Sequence, residues 1–347
     1  MTPLVYISRN YKFSTNAASK PKTDCESILN SIGFKNLGFK QTQYKSSALG
    51  AIISFLGISK GLFILPYKST ICIQYPLSKF YKLITKIAVL KKCTIILIVH
   101  DVKSLMGKNK HIAQEMKKFS CANTIIIHNH SMAQWFINHG SKANLIPLYM
   151  FDYLSNNNDA PELGNKAQKI YDIVFAGGLG YEKSAFLYKL DEIKNSHYKL
   201  KLYGNGFNKD VVNKTNSILE YQGRFSPEEV SKHIKGSFGL VWNGNAIEEC
   251  AGNFGNYLLY NNPHKTSLYL LCGLPIIIWE KAAIASFIKK EGLGICISSL
   301  AELNFLLQNL NTEEYQLMLN NVTQVRKKIM SGGFLKDAVK RALEKTT

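Results

Sequence analysis

Lys265 lies in Asn262-Pro263-His264-Lys265-Thr266-Ser267, and the residues after it are mainly apolar until Gly273. Asn262 suits a helix N-cap, Pro263 the first helical position and Gly273 the stop. A helix start presents unpaired N–H groups and the positive end of a dipole, to which a first-turn lysine adds a full charge. The chemistry of such a site is the binding of a phosphate or diphosphate. The same residues also fit a surface lysine on an ordinary αβ unit, and capping signals alone do not separate the two readings. Beyond Gly273, the apolar run Ile276 to Trp279 has the character of a central parallel strand.

Other groups with chemical potential stand where apolar runs end. His100-Asp101 follows Cys93–Val99, and His128-Asn129-His130 follows Thr124–Ile127. Doubly wound sheets bind ligands outside the carboxyl ends of their strands. Asp101 is a candidate general base for a hydroxyl, or the cap of the next segment. His100 suits orientation or substrate binding as well as proton transfer. His128 and His130 would share a face, but no further ligands at convincing spacing accompany them, so a structural or substrate-binding role is expected and a metal is not. Gly177-Gly178 ends a strand-like run and would let a ligand approach the backbone, or form a plain tight turn. Glu248-Glu249 and the loop Cys250–Gly255, including Gly252, would touch a sugar or stay solvated. Neither G-x-G-x-x-G nor G-x-x-x-x-G-K-[S/T] occurs, which argues against a dinucleotide fingerprint and a P-loop.

The elements that must hold these groups alternate between strand-like runs and helical patterns, which predicts an α/β protein with parallel sheets. Strand Leu4–Ser8 precedes a polar loop, and Thr23 with Glu26 reads as a capping box for a helix stopping near Gly33. Residues 48–65 are apolar but interrupted by Lys60 and three glycines, predicting a helix and then a loop or strand. The helix Met132–His139 is expected to be capped by Ser131. Turn-rich residues 155–161 suggest a linker. A second α/β pattern then runs through Tyr171–Gly178, Tyr198–Tyr203, Phe238–Trp242 and Ile276–Trp279, with closing helices near 281–290, 301–310, 312–330 and 334–344. Length allows two domains, 1–165 and 166–347.

Of the +19 formal charge, most lies in residues 1–168, which hold 21 Lys+Arg against 7 Asp+Glu. Such a half attracts nucleic acid, an acidic membrane surface or a phosphorylated substrate. No helix-turn-helix, zinc-finger or RNP-like motif supports nucleic acid as a partner. Seven scattered cysteines with no Cys-x-x-Cys suggest a reducing, cytoplasmic setting. No signal peptide is visible. The stretch 48–65 is short for a membrane span but suits an interfacial role.

Phe238-Gly239-Leu240-Val241-Trp242, the Gly252–Tyr257 loop, Asn261-Asn262-Pro263-His264-Lys265-Thr266-Ser267-Leu268-Tyr269-Leu270 and Leu274–Ala283 resemble bacterial β-1,6-galactofuranosyltransferases of polysaccharide assembly. His100-Asp101, His128-Asn129 and Phe151-Asp152-Tyr153-Leu154 extend the likeness over nearly the whole chain. A more distant likeness is to hexosyltransferases that extend sugars on serine-rich surface glycoproteins. The resemblance implies a GT-B fold, two Rossmann-like domains facing across a cleft, with a C-terminal helix (333–347) crossing back to the N-terminal domain. The C-terminal domain would hold the nucleotide sugar and the N-terminal domain the acceptor. By that likeness Lys265 would meet the diphosphate of UDP, with Ser267, His264 and the helix start assisting. Gly177 and Gly178 would underlie the nucleotide sugar, and the Tyr203-Gly204 and Arg224-Phe225 turns would flank uridine. His128, Asp152, Glu249, Gly252 and Lys20 would contact sugar or acceptor. Asp101, with His100, would activate an acceptor hydroxyl for inverting attack on UDP-α-D-galactofuranose, without metal or other cofactor. The chain departs from many GT-B enzymes in lacking a Glu-x7-Glu pair before the donor helix. The implied acceptor is a lipid-linked saccharide at the inner membrane surface, and homo-oligomers are compatible. The alternatives are a UDP-glucose or other UDP-hexopyranose transferase acting on a glycan or glycoprotein, and a non-catalytic sugar-nucleotide- or polysaccharide-binding protein.

Overall fold

A computed structural model describes residues 2–10, 19–44, 46–77, 80–107, 111–155, 171–190, 196, 198–208, 210 and 218–345. The chain divides into two units, Met1–Asp152 with Gly332–Thr347, and Tyr153–Ser331. The boundary falls thirteen residues before the expected position 165, and most of the expected linker lies outside the described residues.

The first unit is built as β1 (Leu4–Tyr6), α1 (Lys20–Ser31), β2 (Lys35–Asn36), α2 (Ser47–Ile64), β3 (Thr70–Tyr75), α3 (Tyr81–Leu90), β4 (Thr94–Val99), α4 (Ile112–Phe119), β5 (Thr124–Ile127), α5 (His130–Asn138) and β6 (Asn144–Pro147). All its strand pairs are parallel, in the order β2-β1-β3-β4-β5-β6. The central strands β3, β4 and β5 are apolar runs such as Thr-Ile-Ile-Leu-Ile-Val because helices cover both of their faces. The order reverses between β1 and β3.

Three local expectations are corrected. α1 starts at Lys20, one turn before the supposed capping box: Thr23 Oγ1 donates back to Lys20 O, and Glu26 is buried against Ser8 and Gln41. α5 is capped by Asn129, whose Oδ1 accepts from Met132 N at 2.9 Å, and Ser131 lies inside the helix. α2 is one unbroken helix, because its glycines face neighbouring rings and chains where a side chain would not fit.

The second unit runs β7 (Tyr171–Gly178), α6 (Tyr181–Ser184), α7 (Phe186–Leu190), β8 (Tyr198–Asn205), β9 (Leu219–Gly223), α8 (Val230–His233), β10 (Phe238–Val241), α9 (Gly252–Tyr257), α10 (His264–Leu271), β11 (Ile276–Trp279), α11 (Ala285–Lys290), β12 (Gly294–Ile297), α12 (Leu303–Asn309) and α13 (Thr312–Met330). Its parallel sheet has the order β12-β11-β10-β7-β8-β9. The chain moves outward from β7 through β8 and β9, then returns to the other side of β7 with β10. The crevice of such a sheet opens outside the carboxyl ends of the two strands flanking the reversal, here β7 and β10.

The last helix, α14 (Gly333–Glu344), belongs to the first unit, where it packs on α1, β5 and β6. It buries Phe334, Leu335, Ala338, Val339 and Ala342.

Candidate active site

The second unit places Lys265 at its switch point. α10 begins at His264 with Pro263 in the N-cap position, one residue later than Asn262 suggested. The helix ends in a Schellman turn: Leu274 N donates to Tyr269 O at 2.9 Å and Gly273 has φ +77°. This fixes the entry into β11 and leaves Lys265 in the first turn. Its Nζ donates to Trp242 O (3.2 Å) and Asn243 Oδ1 (3.1 Å), the two residues that follow β10. The ammonium also lies 4.1 Å from the centroid of the Phe175 ring on β7.

Desolvation pushes the pKa of Lys265 well below the ordinary lysine value, and the positive charge of Lys183 lowers it further. Lys183 stands on α6, just past the Gly177-Gly178 end of β7, with its chain against Gly178. No carboxylate pairs with Lys265 among the described residues. A desolvated ammonium under the repulsion of a second lysine is relieved by one kind of ligand, an anion.

The strands are opened at this point by Tyr269. β7 and β10 pair only through Ile173 and Val174, after which Ala176 N donates to the Tyr269 hydroxyl at 2.7 Å. The Tyr269 ring fills the space over Gly239, where an added Cβ would meet ring carbon at 2.2 Å. On the other side of β7, Gly204 has φ +139° and its missing Cβ would sit 1.8 Å from Gly177 O. The Gly177-Gly178 end is therefore shaped by a close backbone crossing, and the space where a Gly177 side chain would point is empty.

Of the other expected donor contacts, Arg224 is exposed and Phe225 is half-buried, stacked on His233 at 3.9 Å. Ser267 is fully buried within α10. The Tyr203 side chain is also buried, its hydroxyl donating to His233 O at 3.2 Å, so its role is in the core. His264 packs 5.0 Å from the Tyr153 ring. Glu249 is exposed in the loop between β10 and α9, and Gly252, the first residue of α9, is exposed as well.

In the first unit, His100 and Asp101 follow β4. His100 Nε2 contacts Gln74 Oε1 at 2.6 Å, and its ring stacks on Phe151. Asp101 is half-buried and lies in the field of Lys22, which Arg9 also influences. Burial, more than Arg9, lowers the Lys22 pKa, and Asp101 opposes that shift. A carboxylate, a lysine and an arginine thus share the carboxyl end of this sheet.

Three residues expected at the sugar or acceptor have partners within the first unit. Asp152 is buried, and its carboxylate accepts from Phe334 N (3.1 Å) and Leu335 N (2.7 Å), tying down the start of α14. His128 is buried, with Nε2 on Val99 O at 3.1 Å, and burial lowers its pKa to about 4. Lys20 pairs with Asp24 at 2.5 Å, both largely buried. Sequence reasoning missed Lys183, Asn243 and Tyr269. Lys183 carried a signal, a lysine one turn into the helix after Gly-Gly, whereas the other two act through packing that no spacing shows.

Residues 4–150 match the N-terminal domain and residues 173–342 the C-terminal domain of the glucosyltransferase 3-like proteins. The chain belongs to this glycosyltransferase family. It is 28% identical to the beta-1,6-galactofuranosyltransferase WbbI of Escherichia coli (strain K12) over 346 residues, covering 98% of each chain. It is 27% identical to glucosyltransferase 3 of Streptococcus gordonii over 269 residues, 75% of each. Sucrose-phosphate synthase from Thermosynechococcus elongatus is similar in structure over the full length of both chains, with a TM-score of 0.60 at 10% identity. The fold is GT-B.

Proposed function

We propose that the protein transfers galactofuranose from UDP-galactofuranose to a hydroxyl of a saccharide on a lipid carrier, in the assembly of a surface polysaccharide. The observation that carries the nucleotide-sugar part is Lys265, a desolvated ammonium at the switch point, pressed by Lys183 and without a carboxylate partner among the described residues. The furanose part is supported by the end-to-end similarity to the galactofuranosyltransferase.

In this reading the diphosphate binds at the start of α10 and is neutralised by Lys265 and the helix dipole. An acceptor oxygen forms a bond to the anomeric carbon while the bond from that carbon to the diphosphate oxygen breaks. The hydroxyl proton passes to the Asp101 carboxylate, UDP departs, and the configuration inverts. Asp101 takes this role in the proposal because it stands half-buried just past the end of β4, whereas Asp152 accepts from two backbone donors of α14. Lys265 supplies the positive charge that the leaving diphosphate needs, so the reading requires no metal.

Transfer of glucose or another hexopyranose is the second reading, favoured by the matched domains being described as glucosyltransferase 3-like. The two separate in one assay: incubation with UDP-galactofuranose, UDP-galactopyranose and UDP-glucose in turn, following UDP release and the product sugar. The proposal expects release from the furanose donor. Consumption of UDP-glucose with UDP-galactofuranose ignored would overturn the donor assignment.

A further inference from the structure

We propose that the outward face of α2, with the adjoining lysines of α3, is a docking surface for an anionic lipid membrane. The inference deepens the lipid-carrier part of the proposed function, and its test reads membrane binding without turnover.

α2 is 18 residues long with a mean hydropathy of 1.7. Its inward face consists largely of small residues, Gly50, Ser54, Gly57 and Gly61. A Cβ on Gly50 would fall 2.1 Å from the Tyr44 ring, and one on Gly61 would fall 2.9 Å from Ile7. Close approach therefore turns most of the large apolar chains outward. Leu49, Ile52, Phe55, Leu56, Phe63 and Ile64 are all exposed, Phe63 to 88%. A surface helix of a globular domain ordinarily does the reverse. Exposed apolar surface of this extent marks an interaction site.

The surrounding charge identifies the partner. From residue 27 to residue 100 the chain has ten lysines and no aspartate or glutamate. α3 adjoins α2: Phe80, which precedes α3, packs 6.3 Å from Phe55, and Lys91 Nζ donates to Leu62 O, Phe63 O and Leu65 O at the end of α2. Lys82 and Lys86 are exposed on α3, beside the exposed Leu83. A second copy of the chain would bring the same positive charge to this face, whereas anionic headgroups bring the opposite charge. Each lysine near such a surface strengthens partition about fivefold. The buried glycine face holds α2 against its own unit, so the helix lies in the interface plane rather than crossing the bilayer.

The test is flotation of the whole protein with vesicles of phosphatidylcholine alone or mixed with phosphatidylglycerol, at low and high salt. The wild type is expected to float with the anionic vesicles and to be released by salt. Ile52→Ser, Leu56→Ser and Phe63→Ser together should weaken partition at least about tenfold, the loss expected for withdrawing even one large apolar side chain from lipid. The melting temperature should stay unchanged, because all three positions face outward. Phe63→Ser alone, at the most exposed of them, is the safeguard against misfolding and should also weaken flotation. Lys82→Gln with Lys86→Gln should weaken it on anionic vesicles only. The proposal is overturned by a wild type that does not float, or by a folded triple variant that floats as well as the wild type. It is also overturned if light scattering without lipid shows a wild-type oligomer that the triple variant breaks, since a second copy then covers the face.

Discussion

Replacing Asp152 by alanine removes the carboxylate that holds the start of α14. Two backbone donors lose their acceptor, Phe334 N at 3.1 Å and Leu335 N at 2.7 Å, and both bonds are buried. Leaving a buried donor unsatisfied costs about 1–3 kcal/mol. The lost attraction between a carboxylate and a helix start adds about 0.3–1 kcal/mol. Water reaching the cut end recovers part of this, so about 3 kcal/mol is expected for Asp152→Ala. Asp152→Asn keeps one acceptor and turns an NH₂ toward the other donor, which should cost about half as much. In a unit of this size 3 kcal/mol lowers the melting temperature by about 6–12 °C. Thermal unfolding followed by circular dichroism reads the effect, and acceptor KM measured below the transition separates it from a substrate role. A melting temperature within about 1 °C of wild type with a raised acceptor KM would refute the structural assignment and restore Asp152 to the acceptor site.

The remaining predictions concern pH, the strand crossing and the base. Burial lowers the His128 pKa from 6.5 in the unfolded chain to about 4 when folded. Between those values the unfolded state binds the extra proton, so stability present above pH 6.5 falls as pH drops toward 4, by about 3 kcal/mol in all. His128→Gln should flatten that acid limb in urea titrations, and an unchanged limb would show that another group carries it. Gly204→Ala drives a Cβ into Gly177 O at a backbone angle of +139°. The clash and strain should cost at least about 2 kcal/mol and weaken UDP binding, as calorimetry would show. Asp101→Asn should lower kcat by about 10²–10⁴ with UDP affinity unchanged, and near-normal turnover would require another base.

The parts of the fold legible in the sequence were those carried by strong local signals. Ile276–Trp279 and Thr124–Ile127 are strands at the residues expected, because short apolar runs in a sheet covered on both faces have polar or turn-forming ends. The start of α10 was legible to within one residue and Thr312–Met330 at both ends. The capping box at Thr23 failed because Glu26 finds a better partner in Ser8, 18 residues away. The break expected within residues 48–65 failed because its glycines are placed for packing, not for turning. Helix-start signals were enough to place Lys265 in a first helical turn, but its burial against Phe175 and the end of β10 comes from tertiary packing. The commitment of Asp152 to α14 depends on a neighbour 182 residues away that composition and spacing do not reveal, whereas the Lys20–Asp24 pair is an i, i+4 contact hidden by placing the helix start after Lys20.

The central claim is that Lys265 meets the diphosphate of a nucleotide sugar. Calorimetric titration of UDP into the wild type and into Lys265→Met tests it most directly, with uridine as the control lacking phosphate. Loss of a charge-assisted contact should weaken UDP binding about 10–100-fold while leaving uridine binding and the melting temperature nearly unchanged. Wild-type affinity for UDP should also decline as pH rises, because bound diphosphate raises a lysine pKa that the empty site holds low. A folded Lys265→Met protein that binds UDP as tightly as the wild type would contradict the account.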